Sequence, residues 1–190
     1  MTPQQRAQAL IADPVRLGAA LGYDGFRYGL HDRWIRRMVS GTEDMTLQAH
    51  RGSYKTTCLC VAIALMMIRY RDKNIIFLRK TDDDVTEVVK NVERILTSGI
   101  IQDIYRALTG GKLDIVKSNS SEITTSVYCA PRGAAQLLGI GIGASLTGKH
   151  ADIVITDDIV NLKDRLSAAD REKTKAIYME LQNVRNPGGR

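Results

Sequence analysis

Two short, continuous apolar runs constrain the fold of this 190-residue chain more than any other feature. The run from Asn74 to Leu78 and the run from Ile153 to Ile155 are typical of central parallel strands covered on both faces. Amphipathic helical patterns alternate with these runs, so the sequence predicts an α/β fold with a mostly parallel sheet and helices on both faces. The length fits a single domain with one sizeable core and room for a small helical addition.

The N-terminal region is predicted to be helical before the sheet begins. Asp13 and Pro14 form an N-cap and a first-turn proline, which divides this region into two short helices. A third helix follows, and Gly41 suits its C-terminal end. We therefore expect a helical segment over residues 1–41 that packs on an α/β core over residues 42–190.

The core begins with a strand, a loop and a helix. A short run from Met45 to His50 predicts a strand, and a helix starting near Lys55 is apolar on all sides, which predicts that it is buried. Two strands around a polar turn, Leu113 to Val116 and Ile123 to Cys129, are expected to pair as a hairpin. Two further helices are expected to follow capping residues, Thr81 and Ser167.

The charge of the chain favours a polyanionic partner. Its 27 Lys and Arg residues outnumber its 21 Asp and Glu residues, which gives a net charge of +6. The longest apolar run, Cys58 to Ile68, is far shorter than the ~20 residues that cross a bilayer, and the N-terminus lacks a secretory signal. We therefore expect a cytoplasmic protein with no membrane association. Its cysteines are expected to be core residues: Cys58, Cys60 and Cys129.

The strongest functional signal is the loop that precedes Lys55. A loop between a strand and a helix points backbone N–H groups at phosphates, where the lysine would neutralise charge and the Thr56 hydroxyl would hold Mg²⁺. Ala49 and Tyr54 occupy the glycine positions of the usual pattern, so an accidental polar turn is the alternative interpretation. The residues expected to bind the nucleotide are Ala49, His50, Arg51, Gly52, Ser53, Tyr54, Lys55, Thr56 and Thr57.

A second signal follows the apolar run that ends at Ile155. Asp157 and Asp158 come at the carboxyl end of this strand, where open α/β sheets bind ligands. We expect Asp157 to hold Mg²⁺ and Asp158 to orient and deprotonate an attacking water, whereas a surface turn is the alternative for an Asp-Asp pair alone. Two motifs in this order can both reach the carboxyl edge of one sheet, which predicts a P-loop NTPase of the ASCE class.

Several strings of the sequence resemble one protein family. HRGSYKTT, NIIFLRKTDDDV, LTGKHADIVITDDIVN and a last helix ending in NPGGR are similar to the ATPase domain of tailed-phage large terminases. The resemblance extends from about Phe26 to the C-terminus. It implies ATP and Mg²⁺ as cofactors, with phosphate and magnesium roles for Lys55, Thr56 and Asp157. It also implies that Arg51 is a cis-acting arginine that senses or stabilises the γ-phosphate.

The resemblance further implies a function and partners. Large terminases hydrolyse ATP to move double-stranded DNA into a procapsid, in a ring that is often pentameric, with a small subunit and a capsid portal as partners. The isolated domain is expected to be a monomer in the host cytoplasm. No nuclease activity is expected, because the family's nuclease domain has no counterpart after Asn186. Asp158 departs from the family's usual glutamate, and a shorter acid can still act as the base.

Other candidate residues have two interpretations each. Four residues upstream of the loop would either contact adenine or belong to the core: Tyr23, Phe26, His31 and Trp34. Lys149 and His150 would contact DNA or a neighbouring subunit's nucleotide, or would form a solvated turn. Arg79 and Lys80 follow the first buried strand and are candidate contacts for DNA or phosphate.

Two rival functions are compatible with the same motifs. A helicase-like or other nucleic-acid-stimulated ATPase would carry both motifs. A nucleotide-binding regulator that changes shape without turnover is made credible by Tyr54 and Asp158, which both depart from the expected residues. Turnover that DNA stimulates would favour a motor, and tight binding without hydrolysis would favour the regulator.

Overall fold

The computed structural model describes residues 1–130, 133–160 and 162–190, which form an α/β fold. Among these residues, no helix is both long enough and apolar enough to cross a membrane. The helices are α1 (Pro3–Ile11), α2 (Pro14–Ala20), α3 (His31–Ser40), α4 (Lys55–Arg69), α5 (Asp82–Leu96), α6 (Gly99–Thr109), α7 (Leu162–Leu166) and α8 (Ala168–Val184). The strands are β1 (Ile75–Arg79), β2 (Ile115–Ser118), β3 (Glu122–Thr125), β4 (Leu137–Gly141) and β5 (Ile153–Thr156).

The five strands form one mixed sheet in the order β2-β3-β4-β1-β5. β1 is parallel to both β4 and β5, whereas β3 is antiparallel to both β2 and β4. The prediction of a mostly parallel sheet is therefore wrong. The predicted hairpin of β2 and β3 is confirmed, and it explains the error, because strands joined by so tight a turn must run antiparallel.

β1 is the strand that the first apolar run predicts, and it is buried on both faces. Ile75 and Phe77 belong to a core that includes the buried residues of α4 and α5. Ile76 and Leu78 belong to a second cluster that includes residues of α8. Because the side chains of a strand alternate between its faces, helices cover both sides of the sheet at this point, as expected.

α4 lies in the centre of the protein. Every residue from Cys58 to Met67 is buried, which confirms the prediction of a helix that is apolar on all sides. α3 packs on it, α2 packs on α3, and α1 packs on α6. Leu17, Phe26 and Ile35 share the core cluster of α4. Cys58 and Cys60 are core residues as expected, whereas Cys129 is exposed, so the expectation is wrong for this third cysteine.

β4 lies within a glycine-rich stretch that the sequence does not mark as a strand. A Cβ atom at Gly139 would overlap the Val85 side chain of α5, and one at Gly141 would overlap Asp82. The Gly141 N–H also donates to Asp82 Oδ1 at 2.9 Å. These glycines therefore allow α5 to approach the sheet closely, rather than forming a loop.

The strand predicted from Met45 to His50 is not formed, since these residues have no regular secondary structure. The edge of β5 that faces away from β1 pairs instead with the C-terminal residues. Ala151 forms a parallel bridge with Arg185, and the Val154 N–H donates to the Arg190 carbonyl at 2.8 Å. Residues 45–50 thus enter the following loop without regular secondary structure and, among the described residues, without a strand partner.

Candidate functional site

The loop before α4 has two residues in the left-handed backbone region. Gly52 has a φ of 77°, which glycine adopts without steric cost. Tyr54 has a φ of 58°, where a side chain ordinarily costs about 1–2 kcal/mol. α4 begins at the next residue, Lys55, so the loop turns sharply into the helix amino terminus.

The N-terminal segment offsets the strain at Tyr54 by packing on its ring. The ring makes edge contacts with Phe26 at 5.9 Å and with His31 at 6.0 Å between centroids. A Cβ atom at Gly25 would overlap the same ring, so the ring keeps this position only with glycine there. The usual loop pattern has a glycine at position 54, where this chain has Tyr54. Gly25, in the segment that packs on Tyr54, leaves space for the ring.

The structure brings the lysine of the loop and the aspartates after β5 into direct contact. Lys55 Nζ lies 3.0 Å from Asp157 Oδ1 and 2.7 Å from Asp158 Oδ1. Asp157 has a side chain that is only 5% exposed, whereas the Asp158 side chain is 62% exposed and its backbone φ is 47°. The two acids therefore occupy different environments, one inside the protein and one at its surface.

Two further side chains complete this cluster. The Thr56 hydroxyl donates to Asp157 Oδ2 at 3.2 Å. The Arg79 guanidinium, at the end of β1, lies 3.3 Å from Asp157 and 3.8 Å from Asp158. Two cations and two carboxylates thus balance one another where β1, β5 and α4 meet. Sequence reasoning placed Arg79 near phosphate or DNA but did not foresee its contacts with the acids.

The cluster shifts the proton affinity of its members. The hydrogen bond from Lys55 is the main reason that the pKa of Asp158 is lowered. Burial alone would lower the pKa of Lys55, but its hydrogen bonds to Asp158 and Asp157 outweigh that effect and raise it. At neutral pH, Asp158 is therefore an anion and Lys55 a cation.

A cavity of about 1010 Å³ opens beside this cluster. Its wall carries five Lys or Arg side chains and two Asp side chains, so it suits an anionic ligand. A second cavity, of about 390 Å³, runs along β5 and reaches Lys55 and Asp157 from the other side. The first cavity is lined by Ala49, His50, Arg51, Gly52, Ser53, Tyr54, Lys55, Thr56, Arg79, Lys80, Thr81, Asp84, Asp158, Val160 and Arg165.

The donor set fits a magnesium ion held together with phosphates. Within the part of the chain that the structure describes, no group of three or more His, Cys, Asp or Glu side chains could hold a metal by itself. Thr56 and Asp157 nevertheless place a hydroxyl and a carboxylate oxygen within 3.2 Å of each other. Mg²⁺ commonly uses one or two protein oxygens and completes its shell with water and substrate phosphates. The buried Ser53 hydroxyl has no hydrogen-bond partner among the described residues.

Some predicted residues lie away from the cavity or are already engaged. Thr57, Lys149 and His150 are not among its lining residues. Lys149 and His150 precede β5, so they lie at the end of the strand opposite the acids. Lys80 reaches the cavity wall, but its Nζ lies 2.7 Å from Asp164 Oδ1 and 2.9 Å from Thr174 Oγ1.

The four residues proposed for adenine mostly pack against one another. Phe26 and His31 are buried, and their rings stack at 5.2 Å between centroids. His31 also makes an edge contact with Trp34 at 5.2 Å, and Tyr23 stacks on Phe26 at 5.6 Å. The core interpretation therefore fits Phe26 and His31. Sequence reasoning did not assign four residues of the cavity wall to the site: Thr81, Asp84, Val160 and Arg165.

No protein-family model matches the chain, and no curated protein is similar enough to it to count as a relative. The class that the structure defines is an α/β protein with a mixed five-stranded sheet and a cationic cavity at the carboxyl ends of β1 and β5. What the cavity binds must be inferred from its own side chains.

Proposed function

We propose that the chain is a P-loop ATPase of the ASCE class that serves as the motor domain of a viral large terminase. In this role it couples Mg²⁺-dependent ATP hydrolysis to translocation of double-stranded DNA into a procapsid. The observation that carries the proposal is the meeting of Lys55 and Thr56 with Asp157 and Asp158 beside a cationic cavity. These residues are about a hundred positions apart in sequence, and each has the chemistry that its motif predicts.

Each residue has a distinct task in this reaction. The backbone N–H groups of the loop and the Lys55 ammonium bind the phosphates, while Thr56 and Asp157 supply oxygen ligands to Mg²⁺. Mg²⁺ contributes neutralisation of charge on the phosphates. Asp158 orients a water and accepts its proton as the water oxygen bonds to the γ-phosphorus and the bond to the bridging oxygen breaks. Arg51 stabilises the charge that develops on the γ-phosphate.

Lys55 pairs with both acids, at 3.0 and 2.7 Å. When a phosphate binds Lys55, Asp158 loses its closest cation and becomes free to accept a proton.

The DNA partner rests on charge and on the resemblance to terminases. The net charge of +6 favours a polyanion, and a ring of such domains with a small subunit and a portal is the assembly that the resemblance implies. The resemblance also places the protein in the host cytoplasm. Double-stranded DNA is therefore the proposed partner for the motor.

Turnover of Mg-ATP tests the proposal, with and without double-stranded DNA. Lys55→Ala should abolish hydrolysis and weaken ATP binding while leaving the fold intact. Lys73→Ala is the matched control, because Lys73 is an exposed lysine just before β1 that pairs with Asp152 at 3.8 Å, away from the cavity. Normal turnover in Lys55→Ala would contradict the assignment. Tight binding without any turnover in the wild type would favour the regulator, and preference for single strands would favour a helicase-like ATPase.

A further inference from the structure

His31 makes two hydrogen bonds that link the N-terminal segment to the loop. It is the first residue of α3, and it is only 3% exposed. Its Nδ1 accepts a hydrogen bond from the Arg27 N–H at 2.8 Å, and its Nε2 lies 3.0 Å from the Ser53 carbonyl oxygen. Because Nδ1 faces a donor and Nε2 faces an acceptor, the geometry fits the tautomer that carries its proton on Nε2.

Aromatic side chains hold the imidazole in this orientation. Phe26 stacks on the ring, with 22° between the planes, and Trp34 meets it edge to face at 85°. Tyr54 contacts the ring from the loop at 81°. A buried ring that is packed from three directions has little freedom to rotate. Its Nε2–H therefore stays directed at one carbonyl of the loop.

The direction of that carbonyl determines the direction of the next N–H group. In a planar trans peptide, the C=O of Ser53 and the N–H of Tyr54 point to opposite sides. Fixing the Ser53 carbonyl on His31 therefore directs the Tyr54 N–H away from α3. If the Ser53 peptide flipped, the carbonyl oxygen would take the place of the N–H, and it would repel a phosphate instead of donating to it.

We propose that His31 is a positioning residue that locks the Ser53–Tyr54 peptide in the orientation required for phosphate binding. The proposal rests on the proposed function, because it assumes that residues 49–54 bind phosphate. In this proposal the N-terminal segment orients the loop, which is a different role from contact with adenine. The imidazole acts through the loop, by its hydrogen bond to the Ser53 carbonyl oxygen.

Two substitutions separate the hydrogen bonds of His31. His31→Asn keeps an acceptor near the place of Nδ1 for Arg27 but has no donor that reaches Ser53. His31→Gln places an amide N–H near the position of Nε2 and can keep the bond to Ser53. Tyr70→Phe is the matched control, because the Tyr70 hydroxyl donates to the Val39 carbonyl at 2.8 Å and so anchors the other end of α3.

Amide hydrogen exchange in the absence of nucleotide is the first measurement. His31→Asn should increase exchange at residues 51–54 by about 10-fold, as expected when a hydrogen bond worth 1.4 kcal/mol is lost. His31→Gln should restore slow exchange, and Tyr70→Phe should leave it unchanged. Equal exchange in His31→Asn and the control would overturn the proposal. Equal exchange in the Asn and Gln variants would also overturn it, because ring packing alone would then be responsible.

Mg-ATP affinity is the second measurement. His31→Asn should bind Mg-ATP about 10-fold more weakly, while His31→Gln and Tyr70→Phe stay within a few-fold of the wild type. If the wild type binds no nucleotide, the proposed function fails, yet hydrogen exchange still decides whether His31 fixes the loop. If the wild type binds Mg-ATP and His31→Asn binds it equally well, the positioning role fails while the proposed function stands.

Discussion

Asp158→Asn should distinguish the role of Asp158 from that of Asp157, because it removes a charge and a proton acceptor while keeping the size of the side chain. Asp158 lies 2.7 Å from Lys55, and a phosphate that binds Lys55 must displace that contact. The Asp158 side chain is 62% exposed, so solvent screens the ion pair, which is then worth about 0.2–1 kcal/mol. Freeing Lys55 from it should therefore tighten ATP binding by no more than about fivefold.

The rate of ATP hydrolysis should fall in Asp158→Asn, although ATP binding tightens. Loss of a general base ordinarily costs about 10²–10⁴ in rate, and asparagine cannot accept the proton of the attacking water. Asp157→Asn is the matched comparison, because this side chain is only 5% exposed and also contacts Arg79 and the Thr56 hydroxyl. Its substitution should remove the Mg²⁺ dependence of nucleotide binding, since it takes away a charged ligand of the ion.

Equilibrium binding of ATP with Mg²⁺ and with a chelator, combined with single-turnover hydrolysis, measures both effects. Asp158→Asn should bind at least as tightly as the wild type and hydrolyse slowly. If it binds 10-fold more weakly, Asp158 must serve the ion or the fold instead of the water. If both variants show the same binding defect, or if Asp158→Asn hydrolyses ATP normally, the division of tasks between the two acids is wrong.

Three other predictions follow from the loop and the charge. Arg51→Ala should keep ATP affinity within a few-fold but lower turnover in the assembled motor by roughly 10³–10⁵. Arg51→Lys should restore turnover poorly, because lysine lacks the planar guanidinium. Normal turnover in Arg51→Ala would make Arg51 a surface residue. Gly25→Ala should lower the free energy of unfolding by about 1–3 kcal/mol in denaturant titrations, and much less when Tyr54→Gly is also present. DNA affinity should fall steeply and linearly on a log–log plot against salt, and a flat plot would exclude an electrostatic track.

Much of the fold could be predicted from local patterns. The capped helices, the buried α4 and the apolar β1 depend on residues that are close in sequence, so periodicity and capping identify them. α6 was missed although Ser98 caps it, and Ile101, Ile104 and Tyr105 form a buried helical stripe that could have revealed it. α6 could have been predicted, because its cap and its buried stripe lie within one short segment.

Other errors arise from contacts that no local pattern contains. β4 has no predicted counterpart, since two of its five residues are glycines, Gly139 and Gly141, which serve the packing of α5. Residues 45–50 have the pattern of a strand but no partner, because the C-terminal residues pair with the free edge of β5. Strand formation is completed by pairing, so the sequence of one strand cannot determine whether it forms.

The departure of the loop from the usual glycine pattern is also explained by tertiary structure. Tyr54 takes a left-handed conformation because its ring packs on Phe26 and His31, and because Gly25 leaves space for that ring. With Tyr54 at this position, the conformation of the loop depends on contacts with the N-terminal segment. A glycine at position 54 would adopt the same conformation without those contacts. It follows that residues 42–190 alone should not keep the loop in this conformation, even though the boundary near residue 41 is the natural one by sequence. α3 and the loop before it are better regarded as part of the candidate site than as an addition to it.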